Sequence, residues 1–147
     1  MNKYIWLFMV FLTSCTVQKR VDNLSFNYLK FESTGCEGDC ERFSMLIKPN
    51  RPALLNISEA NKSKGSYSRA LSTSEYNGLI SLLKKMNISA MKDTYGLGHE
   101  DTKTKFISIG LGDKEKKIRY QLLAPPELRT LEKYIITLRQ NPSWKKI

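Results

Sequence analysis

The sequence predicts an α+β fold: a mostly antiparallel sheet of about six strands with two helices packed on one face. Three observations carry this. Short stretches between residues 24 and 71, and again between 106 and 123, alternate apolar and polar side chains at the strand period. Two longer stretches, Ser72–Asn87 and Pro126–Leu138, place apolar residues at helical spacing. The strands come in two runs, each followed by a helix, so the order reads β-β-β-β-α-β-β-α, a pattern of helices segregated to one side of a sheet.

The first strand spans Leu24–Glu32. Leu24, Phe26 and Tyr28 share one face by period two, and Leu29 and Phe31 fall on the other. Apolar residues on both faces suggest a strand covered on both sides at its far end. Phe43, Met45 and Ile47 mark the inner face of a second strand. Pro49-Asn50-Arg51-Pro52 is a turn, after which Ala53, Leu55 and Ile57 form a third strand. Glu59–Lys64 reads as a polar loop, and Gly65–Leu71 as a fourth strand.

The first helix announces its own start. Ser72 and Glu75 have the spacing of a capping box, in which each side chain satisfies an orphan amide of the first turn, and Leu71 and Tyr76 occupy the hydrophobic-staple positions. Tyr76, Leu79, Ile80, Leu83 and Met86 line one side, and Lys84 and Lys85 sit near the C-terminus, where the helix dipole favours cations. Ile88–Asp101 is irregular. Phe106–Leu111 and Ile118–Leu123 are strands around a Gly112-Asp113 turn, hence a hairpin. Pro126 suits the first turn of the last helix. Leu128, Leu131, Tyr134, Ile135 and Leu138 form its apolar face, and Asn141-Pro142 ends it.

Ahead of this domain, Lys3 is followed by an apolar run from Tyr4 to Leu12. A spanning helix needs about 20 apolar residues. A charge followed by a short apolar core is instead the pattern of a secretory signal. The run closes on Leu12-Thr13-Ser14-Cys15, which resembles the lipobox of bacterial lipoproteins: an aliphatic residue, two small residues, then cysteine. The resemblance implies diacylglyceryl transfer to the Cys15 sulfur, cleavage before Cys15, and fatty acylation of the new amino group. Residues 1–14 are then a signal peptide, 15–23 a lipidated polar tether, 24–140 a single domain, and 141–147 a C-terminal tail. Two or three acyl chains hold a protein stably on a bilayer where one does not, at roughly 0.8 kcal/mol per buried methylene. The expected location is the cell envelope, lipid-anchored after export.

The 147-residue chain has 24 basic and 14 acidic residues. Loss of residues 1–14 removes Lys3 and no acid, leaving 23 basic residues and a net charge of about +9. The cations are dispersed, with no arginine-aromatic cluster of the kind that makes a nucleic-acid platform, so nucleic acid is not an expected partner. Outside the cytoplasm the partners for such a surface are anionic lipids, acidic glycans and other envelope proteins.

Acylation of Cys15 leaves an even pair, Cys36 and Cys40, in Thr34-Gly35-Cys36-Glu37-Gly38-Asp39-Cys40. Residues four apart in an extended strand are separated by about 13 Å, and a disulfide needs α-carbons roughly 4.4–6.8 Å apart. The chain must turn back between them, and Gly38 permits the backbone angles of such a turn. An oxidising compartment makes the bond the expected state. A redox role would want a lowered thiolate pKa, whereas Glu37, Asp39 and Glu41 supply negative charge that disfavours the thiolate. A closed zinc site needs four ligands; the chain offers this pair and the single histidine, His99. No metal or cofactor is expected. His99, Glu100 and Asp101 form a second polar cluster, with His99 and Asp101 the candidate ligand-binding residues. No serine lies in a glycine elbow that would make it a partner nucleophile.

Residues Leu24 to Leu138 resemble a bacterial family of exported and lipoprotein domains of unassigned function, domain of unknown function number 6438. The family's mark is an early strand, a Cys-x-Gly-x-Cys turn, usually a proline, then an alternating strand. Here these positions read Cys36-Glu37-Gly38-Asp39-Cys40 with Glu41 where the proline usually stands. Tyr95 and Asp101 match a later tyrosine and aspartate, and Pro126 and Leu128 match the proline-leucine opening of the last helix. The resemblance implies fold and export and names no activity. The expected role is a membrane-anchored, non-catalytic binding domain of the cell envelope. The alternative is an enzyme or thiol-redox accessory centred on Cys36/Cys40 or His99.

Overall fold

A computed structural model describes residues 25–34, 41–59, 63–98 and 102–147. The elements in chain order are β1 (Phe26–Ser33), β2 (Arg42–Ile47), β3 (Ala53–Glu59), β4 (Gly65–Arg69), α1 (Thr73–Lys85), a 3-10 turn (Ile88–Ala90), β5 (Thr94–Tyr95), β6 (Lys105–Leu111), β7 (Lys114–Tyr120), α2 (Pro126–Gln140) and β8 (Lys145–Lys146). The α+β class holds, with two helices and one open sheet. The sheet has eight strands rather than about six, in the spatial order β5-β7-β6-β1-β2-β3-β4-β8. The two additional strands, β5 and β8, are two residues each and lie at the sheet's two edges. They also change the order along the chain, one falling between α1 and the hairpin and one after α2. Neither could show as a period in sequence, because each exists only through the strand it lies against. Every pairing is antiparallel except β5 with β7.

One face of the sheet forms the core with both helices. Leu29 and Phe31 of β1, Phe43, Met45 and Ile47 of β2, Ala53, Leu55 and Ile57 of β3, and Ile107, Ile109, Ile118 and Tyr120 of the hairpin are buried with Leu79 and Leu83 of α1 and Leu128, Leu131, Ile135 and Leu138 of α2. The capping box of α1 is formed in both directions: Glu75 N donates to Ser72 Oγ at 3.2 Å, and Ser72 N donates to Glu75 Oε2 at 2.8 Å. The helices meet closely at Gly78. A Cβ there would come within 2.4 Å of Tyr134 Oη, which donates to the Glu75 carbonyl at 2.7 Å. Tyr120 reaches across from β7 to α2, its hydroxyl 3.1 Å from Glu132 Oε2. Burial above all, then the Glu132 charge, pushes that phenol's pKa far up.

Two strand expectations are corrected. Among the described residues, β1 is covered on one side only. Its pairing with β6 shifts between Phe26, opposite Leu111, and Tyr28, opposite Gly110. A bulge of this kind inserts a residue and reverses the alternation, so Phe26 and Leu29 both enter the core while Tyr28 stays on the other face. The second hairpin strand runs Lys114–Tyr120, not Ile118–Leu123. Its lysine-rich first half hides the strand in sequence, but the ladder to β6 runs through it from Leu111 opposite Lys114. At the other end Leu123 has φ 56°, a left-handed conformation that stops the strand, and Leu122 and Leu123 are exposed.

Candidate functional site

Cys15, Cys36, Gly38, Cys40, His99 and Asp101, the residues singled out in sequence, all lie outside the described residues. Their flanks are described, and the fold draws two of these flanks together. Thr34, just before the cysteine turn, donates its amide to the Thr104 carbonyl at 2.9 Å, and the Thr104 amide returns to Thr34 Oγ1 at 3.2 Å. Gln121 Nε2 holds Thr104 Oγ1 at 3.0 Å and the Thr102 carbonyl at 3.4 Å. The described residues flanking 35–40 and 99–101 therefore meet at one end of the sheet, though about 70 residues separate them in the chain. On the far side of the turn, Glu41 is ion-paired with Arg139 of α2, whose guanidinium stacks 4.9 Å from the Phe43 ring. Glu41, which stands where the resembled family usually has a proline, ties the chain just after residue 40 to the second helix.

What the sequence did not single out is the face of the sheet that no described element covers. Its residues are the polar half of each strand's alternation. On β1, β6 and β7 a depression of about 590 Å³ is lined by Tyr28, Lys30, Phe106, Ser108, Lys117 and Arg119, among others. Tyr28 is fixed there in two ways. Its ring lies over Gly110, where a Cβ would come within 2.6 Å of a ring carbon, so only glycine lets the ring lie flat on β6. Its hydroxyl donates to Glu115 Oε1. That bond, more than burial, raises the Tyr28 pKa, and the same bond, ahead of Lys117, holds the Glu115 carboxyl below its usual range. The remaining charges pair locally: Lys30 with Glu32 at 2.8 Å and Lys117 with Glu115 at 3.0 Å. Arg119 instead lies over the Phe106 ring at 5.8 Å.

Towards the opposite edge the same face turns apolar. A smaller depression of about 270 Å³ is lined by Leu46, Leu54, Tyr67 and Ile147 together with Ser44, Asn56 and Ser66. Leu54 is 44% exposed and Ile147 71%. Leucines at two outward strand positions, Leu46 and Leu54, are the signal of this patch that the sequence carries. Chemically, the face offers backbone-rigid aromatic and aliphatic contacts beside paired charges, a surface suited to recognition. Among the described residues no three His, Cys, Asp or Glu side chains group as metal ligands. No helix among them is long and apolar enough to cross a membrane.

A family model described as Domain of unknown function (DUF6438) matches residues 27–139. No curated protein matches the chain.

Proposed function

From the premise that the chain belongs to the family described as Domain of unknown function (DUF6438), we propose that it is a lipid-anchored protein of the cell envelope whose domain binds a partner and catalyses nothing. Cys15 carries the anchor, and residues 16–23 tether the domain close to the bilayer. Cys36 and Cys40 form a structural disulfide. The observation that carries the binding reading is the sheet face that no described element covers, where Leu54 and Ile147 lie exposed and Leu46 half-buried beside a depression of mixed charge. Helices cover the other face and bury most apolar strand residues pointing at them, with Leu111 and Tyr67 partly buried at its margins. Leucine and isoleucine left in the open on a rigid sheet are the material of an interface core rimmed by polar groups.

The test is crosslinking in cells with the lipidated protein as bait, comparing wild type with Leu54→Asp. The substitution sits at an exposed position and leaves the core untouched. Capture of a defined envelope partner by wild type, lost in the folded Leu54→Asp variant, supports the reading. Capture that survives the substitution removes this face from the function. A turnover found for the purified protein would replace the reading with a catalytic one.

A further inference from the structure

The two edges of the sheet are finished differently. At one edge β8 lies along β4, with Tyr67 opposite Lys146 and Ser68 opposite Lys145, and the Ile147 amide donates to the Ser66 carbonyl at 2.9 Å. At the other edge β5 meets β7 only at Arg119 and Tyr120. The outward hydrogen bonds there are Arg119 N to the Asp93 carbonyl at 2.8 Å and Gln121 N to the Tyr95 carbonyl at 3.2 Å. Backbone groups of alternate residues in a strand point the same way. The amides and carbonyls of Lys117 and Glu115 therefore face outward too, and none has a hydrogen-bond partner among the described residues. Among the described residues, half of β7 is an open edge.

That edge borders the larger depression. Glu115, Lys117 and Arg119 present their side chains into it, next to Tyr28 and Phe106. The strand is cationic: Lys114, Lys116, Lys117 and Arg119 stand against one acid, Glu115. Lys116 is taken up by Asp93 at 2.6 Å and Lys117 by Glu115 at 3.0 Å. Lys114 and Arg119 have no carboxylate partner among the described residues.

We infer that the open half of β7 is a docking edge for an extended, acidic segment of another protein, which adds to the sheet as a strand and sets alternate side chains into the Tyr28–Phe106 depression. Main-chain hydrogen bonds to Glu115 and Lys117 supply affinity in this mode, and side-chain pockets supply selectivity. The lysines choose the occupant by charge. A second copy of this chain, or any basic strand, would bring like charges face to face across the ladder, which is destabilising. The same residues that protect an edge from indiscriminate pairing attract a strand carrying acids. This rests on the proposed binding role and names the chemistry of the partner.

The probe is a fluorescent synthetic peptide of alternating glutamate and valine, titrated against the full lipidated protein in detergent. We expect saturable binding, at least about tenfold weaker for the same peptide with lysine replacing glutamate. We expect a similar loss for the acidic peptide N-methylated along one edge, which keeps its charge and loses its hydrogen bonds; two such bonds amount to about tenfold. Lys114→Glu should weaken the acidic peptide, and Glu115→Pro should block it, since an edge strand tolerates proline where its N–H faces out. Should Glu115→Pro not fold, Lys114→Glu and the methylated peptide decide alone. Equal binding of the methylated and unmethylated peptides, or binding unchanged by Lys114→Glu, overturns the docking edge. If the crosslinked partner is captured equally by wild type and Lys114→Glu, the binding role stands and this edge falls. Peptide binding at the edge without any partner captured in cells would sustain the edge and count against the role.

Discussion

Arg69 and Glu75 form a two-pronged ion pair, Arg69 Nη1 lying 3.0 Å from Glu75 Oε1 and 2.8 Å from Oε2. Arg69 is almost wholly buried at the end of β4, and Glu75 is also the reciprocal partner of the Ser72 cap. One carboxylate thus closes a helix start and neutralises a buried cation. The guanidinium in turn reaches the Leu138 carbonyl of α2 at 3.3 Å and lies 5.2 Å from the Trp144 ring. The sheet, both helices and the C-terminal strand converge on this pair.

Glu75→Ala should therefore cost more than a lost cap. Removing one partner of a buried pair costs about 3 kcal/mol or more because it strands the other charge. Arg69, ahead of the Ser72 hydrogen bonds, holds the Glu75 carboxyl below its ordinary range. A carboxyl lowered by folding stabilises fully above its unfolded-state value, and that contribution is lost as pH falls from there through the depressed folded value. Melting curves at neutral and acidic pH should show the gap between wild type and Glu75→Gln narrowing as the solution is acidified through that range. A constant gap would show that the pair is not what the substitution removes.

Gly110→Ala should push the Tyr28 ring off β6, since the new Cβ would lie 2.6 Å from it. Overpacking of this kind costs about 1–3 kcal/mol. Paired with Tyr28→Ser, the same alanine should cost much less, because the ring is what it strikes. Chemical denaturation of the two single variants and the double variant gives the coupling. Additive costs would place the strain elsewhere.

Trp144→Ala should release the C-terminal strand. The indole donates to the Leu138 carbonyl at 3.1 Å and covers Arg69. Loss of its partly buried ring and of the cation–π contact should cost about 2 kcal/mol. In hydrogen exchange the Ile147 amide, bonded to Ser66, should lose its protection while β1 and β6 amides keep theirs. Retained protection at Ile147 would mean that strand pairing alone holds the tail.

On the proposed anchoring, Cys15→Ala should leave uncleaved precursor and abolish labelling by a fatty-acid probe, because it removes the proposed acceptor sulfur. Labelling that persists in this variant would refute the anchor.

A Cys36→Ser, Cys40→Ser double variant should fold and melt several degrees lower, since closing so short a loop stabilises by about 2 kcal/mol. Alkylation without reductant, read by mass spectrometry, should find both thiols of the exported wild type blocked. Two free thiols would remove the disulfide.

The sequence by itself determined what is local. It placed the inner faces of β2 and β3, because a strand's alternation is written every second residue. It placed the apolar stripes of α1 and α2, and the reciprocal Ser72–Glu75 cap, because these partners lie within a few residues of one another. Cys15 and the Cys36–Cys40 pair are also read from short motifs, but they lie outside the described residues and stand as proposals. Tertiary structure decided what depends on distant partners. The Phe26/Tyr28 bulge comes from pairing with β6, β5 and β8 exist only against β7 and β4, and the lysine-rich half of β7 is a strand only because β6 lies beside it. Arg69 reads as an ordinary strand cation until folding buries it over Glu75. Thr34 meets Thr104, and the uncovered sheet face is left open, only once the sheet order is set. Periodicity records which face of an element is apolar, whereas sheet order and edge pairing are long-range contacts that no local pattern encodes.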